Sequence, residues 1–473
     1  MRYIHINHYL TKMKKLLLLS ILSLFLCKGI VFAQEDNNFY GYDNSFENLS
    51  NPDSISLFTG AFAFARIGGE NYAGARFQPE LNLGKVGVGF DIPVYFNLEN
   101  GDFYSDELKS GSGILRLISY VRYGRKKKDP VYVKMGQLRG ESIGYGSLLN
   151  NYNNSPSFEK RKVGLSYDIR IKKVVGIEGM YSDFNTESFN LFAIRPYVRP
   201  FGASGIPVIK TLDFGFTYIS DKDQTDRFGD NTGKNEFLSD GIKAYGFDMG
   251  MTFINSSFIN LTGYAHFSKL SKVKSDSLIA YHQSIPPTQG YGAGKGMGLG
   301  LNANMNVIGN FFRLNSRIER LWYTDNYMPQ FFDAHYEINK DTKILALGDS
   351  KNKQGIYGSL TASIMDKLLV GGNLLLPDNV SKETPATMQL NLKTKDLFNK
   401  IIIEGYYTKG NLVDFIDAFE FDENSLALMR FAYKISPILV TGIDYRWTWN
   451  KQDSGEYKAD NSVMPYIALQ FQF

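Results

Sequence analysis

The sequence contains almost no cysteine and no long apolar run. Cys27 is the only cysteine in 473 residues, and it lies in a segment that we expect to be removed. A mature chain without cysteine has no disulfides, iron–sulfur clusters or thiolate metal sites. The longest apolar run, Leu16 to Leu26, is broken by Ser20 and Ser23 and falls short of the roughly 20 residues that a spanning helix needs. These absences exclude a helical membrane protein.

The chain also has little net charge and few histidines. The chain has 52 Lys and Arg against 48 Asp and Glu, a formal net charge of +4, and no basic face stands out, so we expect no nucleic-acid partner. Beyond the N-terminal segment the histidines are His266, His282 and His335. No His-Glu-x-x-His pair occurs, so we expect no enzyme activity and no cofactor, and interpret His266 as a neutral polar group on a strand.

The N-terminus has the pattern of a secretory signal peptide. Lys14 and Lys15 precede the apolar run, and Val31 to Ala33 offers a small-residue cleavage site. Leu24 to Leu26 lack the small residue that precedes a lipidated cysteine, so a lipoprotein is not expected. We predict a signal peptide over residues 1–33 with an over-long start before Met13, a short polar segment over 34–54, and a barrel over 55–473.

From about residue 55 onward, apolar and polar residues alternate, as in strands with two different faces. The clearest case is the last segment, where one face carries Ile467, Leu469, Phe471 and Phe473 and the other carries Tyr466, Ala468, Gln470 and Gln472. In the same way Met388, Leu390 and Leu392 alternate with Gln389, Asn391 and Lys393, and Phe431 follows Arg430. Aromatics are 14% of residues, more than a soluble core requires.

The links between these segments decide between a soluble sandwich and a barrel, because barrels of single chains alternate short turns with long loops. Short links are expected at 83–85, 125–129, 172–173, 255–257, 309–310, 366–367 and 436–437. Long loops are expected at 99–112, 139–157, 220–240, 269–295, 324–353, 410–424 and 450–461. We predict an all-β, antiparallel, up-and-down transmembrane β-barrel of about 20 strands (18 to 22), with residues 331–338 as a further candidate strand. Hydrocarbon offers no hydrogen-bond partners, and a closed sheet meets this condition because every backbone amide bonds to a neighbouring strand.

Three features resemble porin-like outer-membrane proteins of the Bacteroidetes type. They are the signal peptide, the barrel pattern that ends at Phe473, and the glycine-rich segment GQLRGESIGYGSLLNNYNNS from Gly136 to Ser155. The resemblance implies a place in the outer membrane of a Gram-negative cell, among its lipid and lipopolysaccharide. It also implies that the barrel-insertion machinery recognises Phe473. It supplies no ligand and no catalytic residue.

Charged side chains on the polar faces are the candidate lumen lining. Opposed charges can set the selectivity of a pore, and the modest excess of arginine suggests a weak preference for anions. The alternative is that these groups only pair with one another or solvate a wet lumen. The set is Arg76, Glu80, Asp91, Arg116, Asp168, Arg195, Arg313, Arg317, Glu319, Glu404, Arg430, Asp444 and Arg446.

The glycine-rich loop 139–157 is the candidate constriction. Its glycines and polar residues would let it fold inward and narrow the channel, although a plain surface loop is an equal alternative. The residues expected at the constriction are Gly144, Tyr145, Gly146, Asn150, Asn151 and Tyr152.

Three other segments carry residues that could form ligand sites. Acidic residues cluster in loop 220–240 and again in loop 410–424, but neither cluster has the spacing of an EF-hand. We therefore favour solvated surface charge, bridged by divalent ions to lipopolysaccharide, over a metal site. The stretch GYGAGKGMGLG from Gly290 to Gly300 lacks the Ser or Thr and the helix of a phosphate loop, and a flexible loop leading into a strand explains its glycines.

Together these features predict a channel for diffusion of small hydrophilic solutes. The alternative is a non-conducting binding or structural barrel whose long loops recognise a surface polymer or a protein partner. An energised receptor has too little chain for a plug and 22 strands. A transporter of hydrophobic substrates, with residues 34–54 as a hatch, stays open.

Overall fold

The computed structural model describes most of the predicted barrel. The described residues are 57–67, 70–103, 116–155, 162–184, 191–221, 241–272, 293–337, 340–351, 353–365, 367–382, 384–394, 398, 400–451 and 457–472. The predicted signal peptide, the polar segment 34–54 and Phe473 lie outside them.

Within the described residues, twenty strands form one closed antiparallel sheet. In chain order β1 to β10 are Leu57–Ile67, Glu70–Leu83, Val86–Phe90 with Ile92–Asn97 as one strand interrupted at Asp91, Ile118–Tyr123, Val131–Gly136, Gly164–Ile171, Val175–Tyr181, Phe192–Val198, Asp213–Asp221 and Ile242–Asn255. β11 to β20 are Ile259–Lys272, Ala293–Asn310, Phe312–Tyr323, Lys353–Ile364, Leu368–Pro377, Ala386–Thr394, Ile401–Leu412, Ser425–Lys434, Leu439–Lys451 and Tyr457–Gln472.

Each strand pairs with the next, and the last strand pairs with the first. In that closing ladder Gly60 lies opposite Leu469 and Ala63 lies opposite Tyr466. The sheet therefore has no free edge, and the predicted fold class and the count of about 20 strands are confirmed.

The two faces of the sheet differ as the alternation predicts. On β10, Phe247 and Met249 are 47% and 44% exposed, whereas Asp248 between them is 4% exposed. Leu390 and Phe431 also point outward. Apolar groups thus cover the outside and charged groups point into the lumen, the reverse of a soluble barrel.

Apart from the link of two residues between β1 and β2, the short links lie at one end of the barrel and the longer loops at the other, here called the short-link end and the long-loop end. The longest link at the short-link end is 199–212, which contains a 3₁₀ turn at Ile209–Thr211. Helix α1, Lys340–Asp349, lies at the long-loop end between β13 and β14. No described helix is long and apolar enough to cross a membrane.

The candidate strand at residues 331–338 is wrong. Phe332 forms only an isolated bridge with Leu149, turns follow it as far as residue 337, and residue 338 lies outside the described part. Its aromatic residues Phe331, Phe332 and Tyr336 are buried against another loop, where they need no ladder of backbone hydrogen bonds.

Candidate functional site

The segment 137–155, here called the inner loop, leaves β5 and folds into the barrel. The chain turns back on itself, since Glu141 and Tyr152 exchange backbone hydrogen bonds of 3.0 and 2.8 Å. The side-chain oxygen Oδ1 of Asn154 accepts another hydrogen bond, of 2.8 Å, from the backbone amide of Leu138. The turns need left-handed backbone at Gly144 (φ 59°), a conformation that glycine adopts without strain.

One side of the inner loop is fixed to the wall formed by β7 to β11. The amide of Gly144 donates to Glu178 Oε1 at 3.0 Å, and the hydroxyl of Tyr145 donates to Asp213 Oδ1 at 2.9 Å. The ring of Tyr145 also stacks on Tyr264, with 4.4 Å between centroids. These contacts place the tip of the inner loop deep in the lumen.

The opposite side of the inner loop reaches β13, β14 and β16. Asn150 Nδ2 donates to the hydroxyl of Tyr357 at 3.2 Å, and Asn151 Nδ2 donates to Gln389 Oε1. The guanidinium of Arg317 donates to the backbone oxygen of Tyr145. The inner loop therefore crosses the lumen from β7 to β16.

A second long loop, 324–352, packs on the inner loop at the long-loop end. The amide of Phe332 donates to the backbone oxygen of Leu148 at 3.1 Å. Around this contact lies an apolar cluster from both loops and the strand ends. It includes Leu138, Leu148, Leu149, Tyr152, Tyr327, Phe331, Phe332, Tyr336, Ile344 and Leu347.

Ion pairs also hold loop 324–352 in place. Glu337 accepts from Lys162 Nζ at 2.5 Å and lies 3.4 Å from Lys340 Nζ, while Tyr152 donates its hydroxyl to the same carboxylate at 2.5 Å. Burial raises the pKa of Glu337, but the charges of Lys162 and Lys340 outweigh it and lower the pKa to about 2. Lys340 also binds Asp221 at 3.1 Å.

A buried ionic cluster lies where the inner loop meets β7 to β10. Arg195 Nη1 donates to Glu178 Oε1 at 2.9 Å, its Nε donates to Asp248 Oδ2 at 2.9 Å, and its Nη2 donates to Asp213 Oδ2 at 3.3 Å. The side chains of Arg195 and Glu178 are 3% and 0% exposed. A single guanidinium thus binds carboxylates from three strands in a place that water does not reach, and Lys127 Nζ adds a second positive charge 2.7 Å from Glu178.

A second ionic cluster, the charged wall, lies on β2, β3 and β16 to β19. Arg76 Nε donates to Asp91 Oδ1 at 2.6 Å, and Arg430 binds Asp444 at 2.7 Å and Glu404 at 3.5 Å. Glu404 also pairs with Lys393 at 3.4 Å.

The charged wall differs from the buried cluster in its access to water. The side chains of Arg430 and Glu404 are 36% and 38% exposed. From the inner loop, Arg139 interacts electrostatically with Asp91 and Glu404. The gap between the inner loop and the charged wall is therefore accessible to water, and charged side chains of both signs line it.

The glycines of the stretch 290–300 make room for a third polar group. From Ala293 onward this stretch belongs to β12, the strand into which the loop was expected to lead. A Cβ on Gly298 would come within 2.4 Å of His266 Nε2. A Cβ on Gly300 would come within 2.1 Å of the Tyr264 ring. The bare backbone leaves space for His266, which lies 2.5 Å from Glu319 Oε1.

The remaining lumen candidates lie at separate places. Glu80 accepts from the hydroxyl of Tyr120, and Asp168 accepts from Tyr197 Oη at 2.9 Å. Arg313 is exposed towards the short-link end of β13, and Arg446 is half-buried on β19. Arg116 was expected on a strand face and this is wrong, because it precedes β4; its charge interacts with that of Asp183.

Several residues of the site were missed in the sequence. Glu178, Asp213 and Asp248 each occupy an inward position, and Asp248 between Phe247 and Met249 has the same alternation as the candidates that were chosen. For Tyr357 and Glu337 no such signal exists, because their partners Asn150 and Tyr152 come from a distant loop.

Asp414 and Asp417 of loop 413–424 accept hydrogen bonds from the loop's own backbone. Asp417 Oδ2 accepts the amides of Val413 and Asp414 at 2.7 and 2.9 Å, and these hydrogen bonds lower the pKa of Asp417. Among the described residues no group of three or more His, Cys, Asp or Glu could hold a metal ion. In the other acidic loop, Asp223, Asp226 and Asp230 lie outside the described part.

Comparison with known proteins gives loose structural similarity only. No protein-family model matches the chain, and no curated protein sequence matches it. Among solved structures it is similar to OprD from Pseudomonas aeruginosa, an outer-membrane protein (9% identity, TM-score 0.34, covering 94% of this chain and 98% of OprD). It is also similar to Wzi from Escherichia coli, a carbohydrate-binding barrel involved in capsule assembly (11%, 0.32, 91% and 86%).

A third similar structure is CdiB from Acinetobacter baumannii (7% identity, TM-score 0.29). The match covers 88% of this chain and 60% of CdiB. The chain thus spans less than two thirds of the length of CdiB. At these values the fold assignment depends on the strand pairing within the chain itself.

Proposed function

We propose that the protein is an outer-membrane channel through which small hydrophilic solutes diffuse. The observation that carries this proposal is the wet gap between the inner loop and the charged wall. Elsewhere the inner loop is bonded to the lumen surface from β7 to β16, so solutes would pass along Arg76, Glu404 and Arg430. The long-loop end would face the outside of the cell, since long loops are extracellular in such barrels.

The charges along this gap favour a weak preference for anions. Four cationic side chains face three carboxylates, a difference of one positive charge. The cations are Arg76, Arg139, Lys393 and Arg430, and the carboxylates are Asp91, Glu404 and Asp444. Because opposite charges alternate along the gap, we expect selectivity to be modest.

Planar-bilayer conductance of the purified, refolded protein tests the channel. Deletion of Gly144 to Asn151 should raise the single-channel conductance, since it removes the part of the inner loop that crosses the lumen. An unchanged conductance would count against the inner loop as the constriction. A reversal potential that favours cations would remove the proposed anion preference.

A second candidate is a non-conducting barrel that binds a surface polymer or a protein partner. The observation that favours it is the apolar cluster formed by the inner loop and loop 324–352, which lies at the long-loop end. Liposome swelling separates the two candidates. Vesicles that carry the protein should swell in small sugars if it is a channel, and should not if it only binds.

A further inference from the structure

Loop 413–424, here called the outer loop, folds in the opposite direction from the inner loop. It follows β17, on which Tyr406 lies on the lumen side beside Asn151, so that Tyr407 points outward. On β19 the inward positions are Asp444 and Arg446, so that Trp447 also points outward. These orientations define the outer wall onto which the outer loop folds.

The outer loop is attached to that wall by four contacts. The hydroxyl of Tyr407 donates to the backbone oxygen of Ala418 at 2.8 Å, and the ring of Phe421 lies 5.3 Å from that of Trp447. Lys409, itself 1% exposed, binds Asp422 at 2.6 Å. Ala418 also belongs to a small apolar cluster against which Met388 packs. The outer loop therefore covers the outside of β16 to β19.

The tip of the outer loop presents a compact apolar surface. Phe415, Ile416 and Phe419 are 78%, 67% and 70% exposed, and the two phenylalanine rings pack edge to face at 5.3 Å. The tip is also internally fixed, because Asp414 Oδ1 accepts the amide of Ile416 at 2.7 Å. A fixed loop that exposes three large apolar side chains is costly in water.

We propose that the outer loop docks on the lipid of the outer leaflet and buries Phe415, Ile416 and Phe419 among its acyl chains. This surface is continuous with the apolar outer wall, where Phe431 and Ile443 are 50% and 48% exposed on neighbouring strands. Aromatic and aliphatic side chains on an interfacial segment gain free energy by entering the headgroup and acyl boundary.

The acidic residues nearest the tip do not oppose this docking. The carboxylates of Asp414 and Asp417 accept backbone amides of the outer loop itself, so they are directed into the turn. The inference rests on the placement of the barrel in a membrane but not on conduction. A barrel that only binds would dock in the same way.

Depth-dependent fluorescence quenching tests the proposal on the full mature chain, which is expected to lack cysteine. Single variants Ile416→Cys, Glu420→Cys and Phe431→Cys are labelled with an environment-sensitive fluorophore and reconstituted in phosphatidylcholine vesicles with or without brominated acyl chains. We expect strong quenching at Ile416→Cys, comparable with that at Phe431→Cys, and little at Glu420→Cys on the same loop.

The outcomes separate this inference from the membrane placement. If Phe431→Cys is quenched and Ile416→Cys is no more quenched than Glu420→Cys, the docking proposal is wrong. If Phe431→Cys is also unquenched, the membrane placement itself fails. Quenching of Ile416→Cys that appears only at low protein density would show that a second copy covers the outer loop, which also overturns the proposal.

Discussion

The backbone amide of Gly144 donates a 3.0 Å hydrogen bond to Oε1 of Glu178. The same oxygen accepts from Arg195 Nη1 at 2.9 Å, and the other carboxylate oxygen accepts from Lys127 Nζ at 2.7 Å. Lys127 lies in a turn at the short-link end. One buried carboxylate therefore joins the inner loop, the barrel wall and a turn, so the position of the inner loop depends on wall charges.

Removal of the central guanidinium should cost much of the stability of the barrel. Arg195→Met leaves the carboxylates of Glu178, Asp213 and Asp248 without their shared partner, and breaking a buried pair in this way costs about 3–5 kcal/mol. The matched control is Arg320→Met, whose partner Asp378 lies in a pair exposed by about a third and worth at most about 1 kcal/mol. Urea unfolding of the lipid-refolded variants measures both, and equal losses would show that the buried cluster is not structurally important.

Substitution within the charged wall should change ion selectivity. Arg430→Ala removes a half-exposed positive charge and leaves Asp444 and Glu404 less compensated. The ratio of cation to anion permeability should rise about twofold to fivefold, equivalent to roughly 0.4–1 kcal/mol. Reversal potentials in a salt gradient measure it, with Arg320→Ala as a control outside the charged wall. If the two variants behave alike, solutes do not pass along Arg430.

Acid should loosen loop 324–352 through Glu337. Its pKa in the folded protein is about 2, below the ordinary value of 4.5, so the stabilisation is complete above pH 4.5 and is lost as pH falls towards 2. A shift of this size is worth on the order of 3 kcal/mol. The unfolding free energy of the unmodified protein should therefore fall more steeply over that range than that of Glu337→Gln. Parallel pH profiles would contradict the assigned role of Glu337.

The fold was predictable because its determinants are local. The alternation of apolar and polar residues assigns Asp248 to the inner face and Phe247 and Met249 to the outer face. Each short link marks where the chain reverses, so the number of strands also follows without tertiary information. Helix α1 was not predictable in this way. Loop 324–352, to which α1 belongs, is held by the contact of Phe332 with Leu148 and by the Glu337 ion pairs, and neither contact follows from the local sequence.

The site was predictable only in part, since the pairing of charges depends on the position of each residue around the barrel. The sequence shows that Arg195 and Arg430 point inward. It does not show that the inner loop buries Arg195 while Arg430 stays accessible to water. The direction of the outer loop was also hidden. Nothing local in the sequence shows that Asp422 folds over Lys409 on the outer wall.

The pairing of β1 with β20 has a consequence for biogenesis. Until the last strand has paired, the nascent sheet presents two unpaired edges, each able to recruit a strand from another polypeptide. Closure also joins residues separated by almost the whole chain, which makes it entropically slow. The unfinished sheet is therefore most exposed to pairing with other chains in the interval before its two ends meet.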